Sequence, residues 1–492
     1  MIYVVVVTGY LAFLLAVSLY RSRQVKTQDD FMVAGRNVPW YFLVGTLVCT
    51  WIGSGSLFAG AGRAFREGFS ALWMSAGAWV GIAIVYFLAG RVRRIAQYTV
   101  PDLLETRYNP AARLLGTLAI TIAYLTIAGY QFIGGGRLLN ILYPAIDPDQ
   151  GKAIICVLVI AFTVTAGMLS IVSLDVFNGL IIVASILIAA PLALSGAGGW
   201  STLTQTLPES HFTATGRLGI SAAFGLFLPT LFLLLGESSM YQKFFAAKDE
   251  ASARKAVIGM ILGVVLVETL LDTTAIFAAG SYWTDAAFRA ADGTFDTGAT
   301  ETVLLVLARN NLPVLAGCLL LAGSVAIVFS TATTFLMVPS TNFARDIYQR
   351  FINPNISESG IIRFQRIMIV VLALVAYVVT TRFTSILDMA LYAYTMVGAA
   401  VTPALLAAFL WKRVTPTGGM ISIALGIATT ILFGALATGG VESLNLGLFR
   451  LPLDYDYIIY PAATASILGL IVGSLLTRPS PESIWRQFVS NH

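Results

Sequence analysis

Two polar stretches interrupt long apolar segments of this chain. The first, at 49–56, reads Cys-Thr-Trp-Ile-Gly-Ser-Gly-Ser, and the second, at 330–334, reads Ser-Thr-Ala-Thr-Thr. Glycines within the first favour an unwound helix with exposed carbonyl oxygens, and the second aligns hydroxyl groups on one helical face. Carbonyl and hydroxyl oxygens carry no full charge, so without several carboxylates they suit an alkali cation that is bound weakly and released again during transport.

Four acidic residues in or beside apolar segments could add chemistry. Glu268 and Asp272 lie four residues apart and share a helical face, where they would bind a proton, a cation or an amine, or simply face a hydrated vestibule. Glu237 either contacts a solute or belongs to a cytoplasmic gate with a cation such as Lys243, and we favour the gate. Asp175 caps a helix or adds charge to a second cation site, and the residues alone favour capping.

The composition is that of a polytopic membrane protein. Of the 492 residues, 57% are hydrophobic and only 11% are charged, whereas soluble domains are about 25% charged. The net charge of +5 does not indicate a nucleic-acid partner, because the basic residues lie between apolar runs. Two histidines and three cysteines, the latter all in apolar runs, predict no His/Cys metal cluster and no disulfide.

Apolar runs of about 20 residues predict thirteen membrane-spanning helices. The first run lacks the basic start and cleavage site of a signal peptide, so we expect it to be retained. The positive-inside rule puts the N-terminus outside and the C-terminus in the cytoplasm, in the plasma (inner) membrane. The spans are 2–20, 39–62, 70–92, 113–143, 152–172, 173–196, 217–240, 255–282, 312–340, 362–381, 385–411, 416–438 and 457–476.

Spans 2–6 and 7–11 form two groups of five. Because each group has an odd number of spans, the second group lies in the membrane with the opposite orientation to the first. Each group opens with an interrupted helix, at Gly53-Ser54-Gly55 in span 2 and at Pro229-Thr230, followed by 236–239, in span 7. Matched interruptions point to a binding site at the middle of the membrane, although glycine and proline are also common in membrane helices. We therefore predict an all-α protein with an extra helix at 1–38, a core at 39–411 of two inverted repeats (39–196 and 217–411), and two final helices at 412–492.

Several short motifs resemble the sodium/solute symporter family, which includes carriers of sugars, proline, pantothenate, sialic acid and choline. The resemblance covers nearly the whole chain. It rests on Asp30-Phe31, Ala34-Gly35-Arg36, the 50–56 break, Tyr98-Thr99-Val100-Pro101-Asp102, Arg107-Tyr108, Leu174-Asp175-Val176-Phe177-Asn178-Gly179, and Ser330-Thr331 shortly before Asp346-Ile347-Tyr348.

The resemblance implies sodium sites. By position, the family's shared sodium site corresponds to the carbonyls of Cys49, Ile52 and Ile327 and the hydroxyls of Ser330 and Thr331. The second sodium site of some members corresponds to Asp175, Thr333 and Thr334, with Ser330 shared.

The solute positions implied by the resemblance are small residues. Ser75, Ser56 and Thr230 stand where a sugar carrier has glutamate, glutamine and asparagine, which argues against a hexose. With Gly53, Ser54 and the neighbouring Trp51, they would hold an organic acid, an amino acid or a small amine.

We therefore expect a Na⁺-coupled symporter that imports a small organic solute by alternating access. One alternative is a proton-coupled carrier that uses Glu268 and Asp272. Another is a solute sensor with a transporter-like core. An enzyme is not expected, because no nucleophile–base pair or metal cluster is visible in the sequence.

Overall fold

Long apolar runs become helices here because the bilayer core offers backbone groups no water to bond with. The structure is a computed structural model that describes residues 2–383, 385–445 and 450–489. Polar residues start many of the helices. Asn109, Asp147 and Thr415 each cap a helix through the side chain, and each is followed by a proline at the first helical position.

In the described residues the α-helices are α1 (Ile2–Ser22), α2 (Gln28–Val33), α3 (Trp40–Trp51), α4 (Ala61–Glu67), α5 (Leu72–Ile95), α6 (Val100–Arg107), α7 (Pro110–Leu142), α8 (Pro148–Gly196), α9 (Gly199–Thr206), α10 (Gly219–Gly236), α11 (Ser238–Ala246), α12 (Glu250–Tyr282), α13 (Thr297–Thr300), α14 (Val303–Asn310), α15 (Val314–Asn342), α16 (Glu358–Val379), α17 (Ile386–Ala400), α18 (Thr402–Leu410), α19 (Pro416–Thr438), α20 (Ile459–Leu475) and α21 (Glu482–Val489). Strands β1 (Ser443–Asn445) and β2 (Arg450–Pro452) pair antiparallel. Two π-helical segments are Gly55–Gly60 and Phe343–Ile352. Short 3₁₀ turns are Ala34–Arg36, Gly68–Ala71, Glu209–Phe212, Ala286–Phe288 and Thr380–Arg382.

The helical membrane architecture predicted from the sequence is confirmed at the level of its apolar helices. Within the described residues, eleven helical segments are long and apolar enough to cross a bilayer, and α3 and α20 are shorter apolar helices. One of the eleven, Gly55–Ile95, joins the second half of predicted span 2 to span 3. The number thirteen and the inverted repeat stay predictions.

The second interruption forms at only one of its two predicted stretches, 236–239, and not at Pro229-Thr230. Helix α10 continues through Pro229 and Thr230 and ends at Gly236, and the non-helical residue is Glu237 (φ −69°, ψ 102°). The Thr230 hydroxyl donates to the Leu226 carbonyl at 3.1 Å, one turn back. Membrane helices tolerate proline when neighbouring groups satisfy the backbone, so Pro229 does not break this one.

The boundary between predicted spans 5 and 6 is also shifted. Helix α8 covers both spans and bends at Gly167, whose φ of +62° and ψ of 176° are not helical. Only glycine adopts this conformation without strain. Asp175 therefore lies inside the second half of α8, about two turns past the bend, and the prediction that it caps a helix is wrong.

Helix α15 runs through the middle of the bundle and is buried along most of its length. It packs on α7 and α8, while α3 packs on α8, α12 and α15. Helix α5 packs on both α10 and α12, and α12 also packs on α4 in the second half of the broken span. The two polar stretches identified in the sequence consequently meet inside the bundle, where α3 passes α15.

An ionic cluster centred on Arg113 joins three elements at one end of the bundle. Its guanidinium is buried and contacts Asp102 and Glu105 of α6, and it lies 2.6 Å from Asp346. Arg350 extends the cluster to Glu105 from an exposed position. Burial alone would raise the pKa of Glu105, but hydrogen bonds from Arg350 and Arg113 outweigh it and lower that pKa. The pairs therefore keep Glu105 charged at neutral pH.

We predict that Arg113→Leu destabilises the fold far more than Arg350→Leu. The first leaves Asp346 buried without a counter-charge and leaves Asp102 with only the longer contact to Arg345, at 3.4 Å; breaking a buried ion pair typically costs about 3–5 kcal/mol. The second removes a half-exposed partner, and exposed ion pairs are worth about 0–1 kcal/mol. Thermal unfolding of the two purified variants in detergent measures the difference, and equal unfolding temperatures would contradict it.

Candidate ion and solute sites

The first interruption unwinds the backbone inside the bundle. Helical hydrogen bonding in α3 ends where the Ile52 amide donates to the Val48 carbonyl, and Ile52 itself has a ψ of 99°. The chain becomes helical again in the π-helical segment that begins at Gly55. The carbonyls of Cys49 and Ile52 are thereby available to groups outside their own helix.

Helix α15 presents its hydroxyls to those carbonyls. The Ser330 hydroxyl lies 3.1 Å from the Cys49 carbonyl and 3.3 Å from the Ile327 carbonyl. The Thr331 hydroxyl lies 3.3 Å from the Cys49 carbonyl and 3.1 Å from that of Ile52. All five groups predicted for a first sodium site thus converge, and all five residues are buried.

This convergence has the chemistry of a weak alkali-cation site. Its oxygens are neutral, so a monovalent ion meets partial charges and no full carboxylate. Unwound carbonyls facing a neighbouring helix are a common means of coordinating Na⁺ in secondary transporters. Hydroxyl groups can rotate their hydrogens away and turn lone pairs towards an ion.

Asp175 packs beside α3, where the Cys49 thiol donates to the Asp175 backbone carbonyl at 3.1 Å. One carboxylate oxygen accepts from the Thr46 hydroxyl at 2.5 Å, and the other lies 3.5 Å from the Asn178 amide. Beside it is a small cavity of about 20 Å³, enough for about one water molecule. Ser330 and Thr333 also line this cavity.

The remaining residues of the predicted second sodium site are only partly gathered. Thr333 lines the cavity. Its hydroxyl donates to the Phe329 carbonyl of its own helix, at 2.8 Å. The Thr334 hydroxyl instead lies 3.4 Å from the Thr50 hydroxyl. The predicted set therefore divides between the cavity and a neighbouring position beside Thr50.

The expected pairing of Glu237 with Lys243 is not formed. Glu237 caps α11 by accepting from the Met240 amide at 2.8 Å, and it accepts from the Tyr124 hydroxyl at 2.6 Å. The Lys243 ammonium points to α3, where it donates to the Thr46 carbonyl at 2.9 Å and to the Thr50 hydroxyl. A gating role for Glu237 stays a prediction.

Four of the predicted solute residues line a second small cavity of about 10 Å³. They are Trp51, Ser56, Ser75 and Thr230, and they come from different parts of the chain. The rest of the wall is formed by Glu268, Tyr394, Met74 and two glycines, Gly55 and Gly60. The space holds about one water molecule, so an organic solute requires these helices to separate.

Glu268 is the most heavily bonded group of this cavity. Its carboxylate accepts from the Trp51 indole at 2.9 Å, the Trp79 indole at 3.0 Å and the Ser56 hydroxyl at 3.2 Å. Asp272, one turn further along α12, accepts from Ser75 at 3.4 Å. Among the described residues that line the cavity, two aromatic rings accompany Glu268 and none is basic.

The other two predicted solute residues face away from this cavity. The Ser54 hydroxyl and amide both donate to the Gln131 side-chain oxygen, at 2.5 and 3.0 Å. A methyl group on Gly53 would come within 2.9 Å of both the Gln131 amide nitrogen and the Thr331 methyl. Gln131 was missed in the sequence, although a single amide in an otherwise apolar stretch of α7 was a usable signal.

Similarity to known proteins establishes the family of this chain. The profile of the sodium:solute symporter family matches residues 31–426. This chain belongs to that family.

Relatives of known function cover almost the full length. The osmoregulated proline transporter OpuE of Bacillus subtilis (strain 168) is 23% identical over 97% of this chain and 96% of its own. A sodium/proline symporter of Haemophilus influenzae is 22% identical over 98% and 96%. The structure of a Na⁺-coupled sialic acid symporter aligns over 98% of this chain and 99% of its own, with a TM-score of 0.78 at 18% identity. The chain is thus a membrane transporter with Na⁺ as its coupling ion, a symporter with the fold of that protein.

We predict that Gly53→Ala lowers the affinity for sodium without unfolding the protein. The added methyl displaces Thr331 from the carbonyls of Cys49 and Ile52, and overpacking of this size typically costs about 1–3 kcal/mol. The sodium concentration for half-maximal stabilisation in a thermal-shift titration should rise about tenfold.

Gly196→Ala is the matched control for this substitution. Gly196 is exposed near the end of α8, and a methyl there meets no atom within 4 Å. Its sodium titration should coincide with that of the wild type. If the titration of Gly53→Ala is also unchanged, the break at Gly53 takes no part in sodium binding and the prediction is wrong.

Proposed function

We propose that this protein imports a small amine-bearing solute, an amino acid or a small amine, together with Na⁺ by alternating access. The single observation that carries the proposal is the meeting of the Cys49 and Ile52 carbonyls with the hydroxyls of Ser330 and Thr331. Sodium there would bridge the broken span and α15. A solute would bind on the other side of the same break.

The amine is inferred from the charge of the solute cavity. Glu268 forms part of the wall and Asp272 lies one turn away, so a solute entering this space meets negative charge. A cationic nitrogen would be attracted there, and the face of Trp51 or Tyr394 would add cation–π attraction. An organic acid without an amine would meet repulsion. The proline transporters among the relatives make proline the first solute to test.

Coupling follows if sodium binds one conformation more tightly than the other. We propose that sodium joins the two inverted repeats, 39–196 and 217–411, and favours the outward-open state with the N-terminus outside. A membrane potential of 100 mV then contributes about 2.3 kcal/mol for each charge that crosses. Low sodium in the cytoplasm empties a site built from neutral oxygens.

We predict that Ser330→Ala and Thr331→Ala each raise the sodium concentration needed for uptake by about tenfold. Each removes one ligand oxygen, and a hydrogen-bonding or coordinating group of this kind is worth about 1–1.5 kcal/mol. Uptake of labelled proline into liposomes at graded sodium concentrations gives the measurement.

Ser324→Ala is the control for these variants. Ser324 is a buried serine of the same helix whose hydroxyl bonds to the Leu320 carbonyl at 2.8 Å, away from the break. Its sodium dependence should match the wild type. Should both site variants do the same, the proposed sodium site is excluded.

The proposed solute class has its own measurement, a thermal-shift screen of amino acids, amines and organic acids in Na⁺ and in K⁺. We expect amine-bearing solutes to stabilise the protein in Na⁺ only, and Glu268→Gln to abolish that stabilisation. Carboxylic acids lacking an amine should have no effect. Stabilisation by such an acid would refute the assigned class.

The sequence also allowed a proton-coupled carrier that uses Glu268 and Asp272, but the sodium coupling of the family disfavours it. In a proton-coupled carrier a pH gradient would drive uptake in the absence of Na⁺, and Glu268→Gln would abolish it. The two candidates therefore give opposite results in sodium-free liposomes.

A further inference from the structure

A lysine side chain lies fully buried beside the predicted second sodium site. Lys243 belongs to α11, the helix that follows the second interruption, and its side chain is inaccessible to solvent. A full charge at this depth persists only when polar partners surround it. The partners here are the Thr46 carbonyl, at 2.9 Å, and the Thr50 hydroxyl, both on α3.

The same two threonines lead from the ammonium to the residues predicted for the second sodium ion. The hydroxyl of Thr46 donates to the Asp175 carboxylate at 2.5 Å, while the carbonyl of Thr46 accepts from Lys243. The Thr50 hydroxyl lies 3.4 Å from that of Thr334. The ammonium is therefore one residue away from both Asp175 and Thr334.

Asp175 is the counter-charge that this arrangement leaves for Lys243. The other carboxylate near α11, Glu237, is occupied by the Tyr124 and Ser239 hydroxyls and by backbone amides of α11. The Asp175 carboxylate accepts hydrogen bonds from neutral groups, those of Thr46 and Asn178. The buried Asp175 and Lys243 thus bond to the same residue, Thr46.

We propose that the Lys243 ammonium is a built-in cation that takes the place of a second sodium ion, so that each chain binds one Na⁺. A sodium ion and an ammonium carry the same charge and are both satisfied by carbonyl, hydroxyl and carboxylate oxygens. Two cations sharing Asp175 would repel each other strongly in a medium of low dielectric constant. This inference rests on the proposed function, because it sets how many sodium ions that function uses.

The first test counts sodium ions bound by the purified chain. In nanodiscs, radioactive sodium at saturation should bind at one ion per chain in the wild type. Two ions per chain would overturn the inference and leave sodium-coupled transport standing. No bound sodium would overturn the proposed function itself, so the two failures are distinct.

The second test removes the ammonium. In Lys243→Met the Asp175 carboxylate loses its built-in partner and recruits a second sodium ion, so the count should rise to two. The Hill coefficient for sodium should rise from about 1 towards about 2, the number of sites. Lys248→Met is the control, since this lysine is exposed five residues further on. A count that stays at one in folded Lys243→Met contradicts the proposal.

A double variant keeps the test decisive if Lys243→Met does not fold. Lys243→Met combined with Asp175→Asn removes both charges of this pair, so that neither is left without the other. It should recover monodisperse protein in detergent and bind one sodium ion. A double variant that folds no better than Lys243→Met alone would show that the two charges do not compensate each other, and the inference would be wrong.

Discussion

The bundle depends on the contact between unwound backbone and side-chain hydroxyls at the crossing of α3 and α15. A carbonyl that leaves its helical hydrogen bond inside a bilayer needs another partner, because hydrocarbon supplies none. The hydroxyls of Ser330 and Thr331 meet that need for Cys49 and Ile52. The break in one helix and the polarity of the other are therefore tolerable only together.

This contact divides the polar interior into two regions. In one region, Glu268 lies among indole rings and small hydroxyls, around a cavity that holds about one water molecule. In the other region, Asp175 and Lys243 share Thr46. Because both regions include residues of the same broken span, a movement of α3 changes both at once. In the proposed mechanism this shared span couples ion binding to solute binding.

The sequence was informative where the chemistry is local to one helix. The hydroxyls of Ser330 and Thr331 are close together on their helix whatever surrounds them. The glycines of the 53–55 stretch likewise weaken the helix through their own backbone freedom, independently of their neighbours. The sequence was less informative about where a helix breaks or bends, because packing against neighbouring helices decides this. Pro229 suggested a break, but the helix continues to Gly236, and a bend at Gly167 replaced a boundary expected several residues later.

The direction of a side chain was the hardest property to predict. Hydropathy and spacing place Lys243 near a break, and a charge there was expected to pair with Glu237 along the chain. Tertiary packing instead turned it towards Thr46 and Thr50 of α3. The partners of Gln131 and Trp79 likewise come from helices distant in sequence. Such contacts depend on which helices are neighbours, which periodicity within one helix does not reveal.

The small volume of the cavity lined by Trp51 and Tyr394 bears on whether ions can leak through the protein. Ions leak through membranes along continuous files of water, and a void that admits about one water molecule cannot sustain such a file. In this form the cavity therefore offers ions no continuous path of water. A carrier that passes through such a form between its two open states would not dissipate the sodium gradient while it turns over empty.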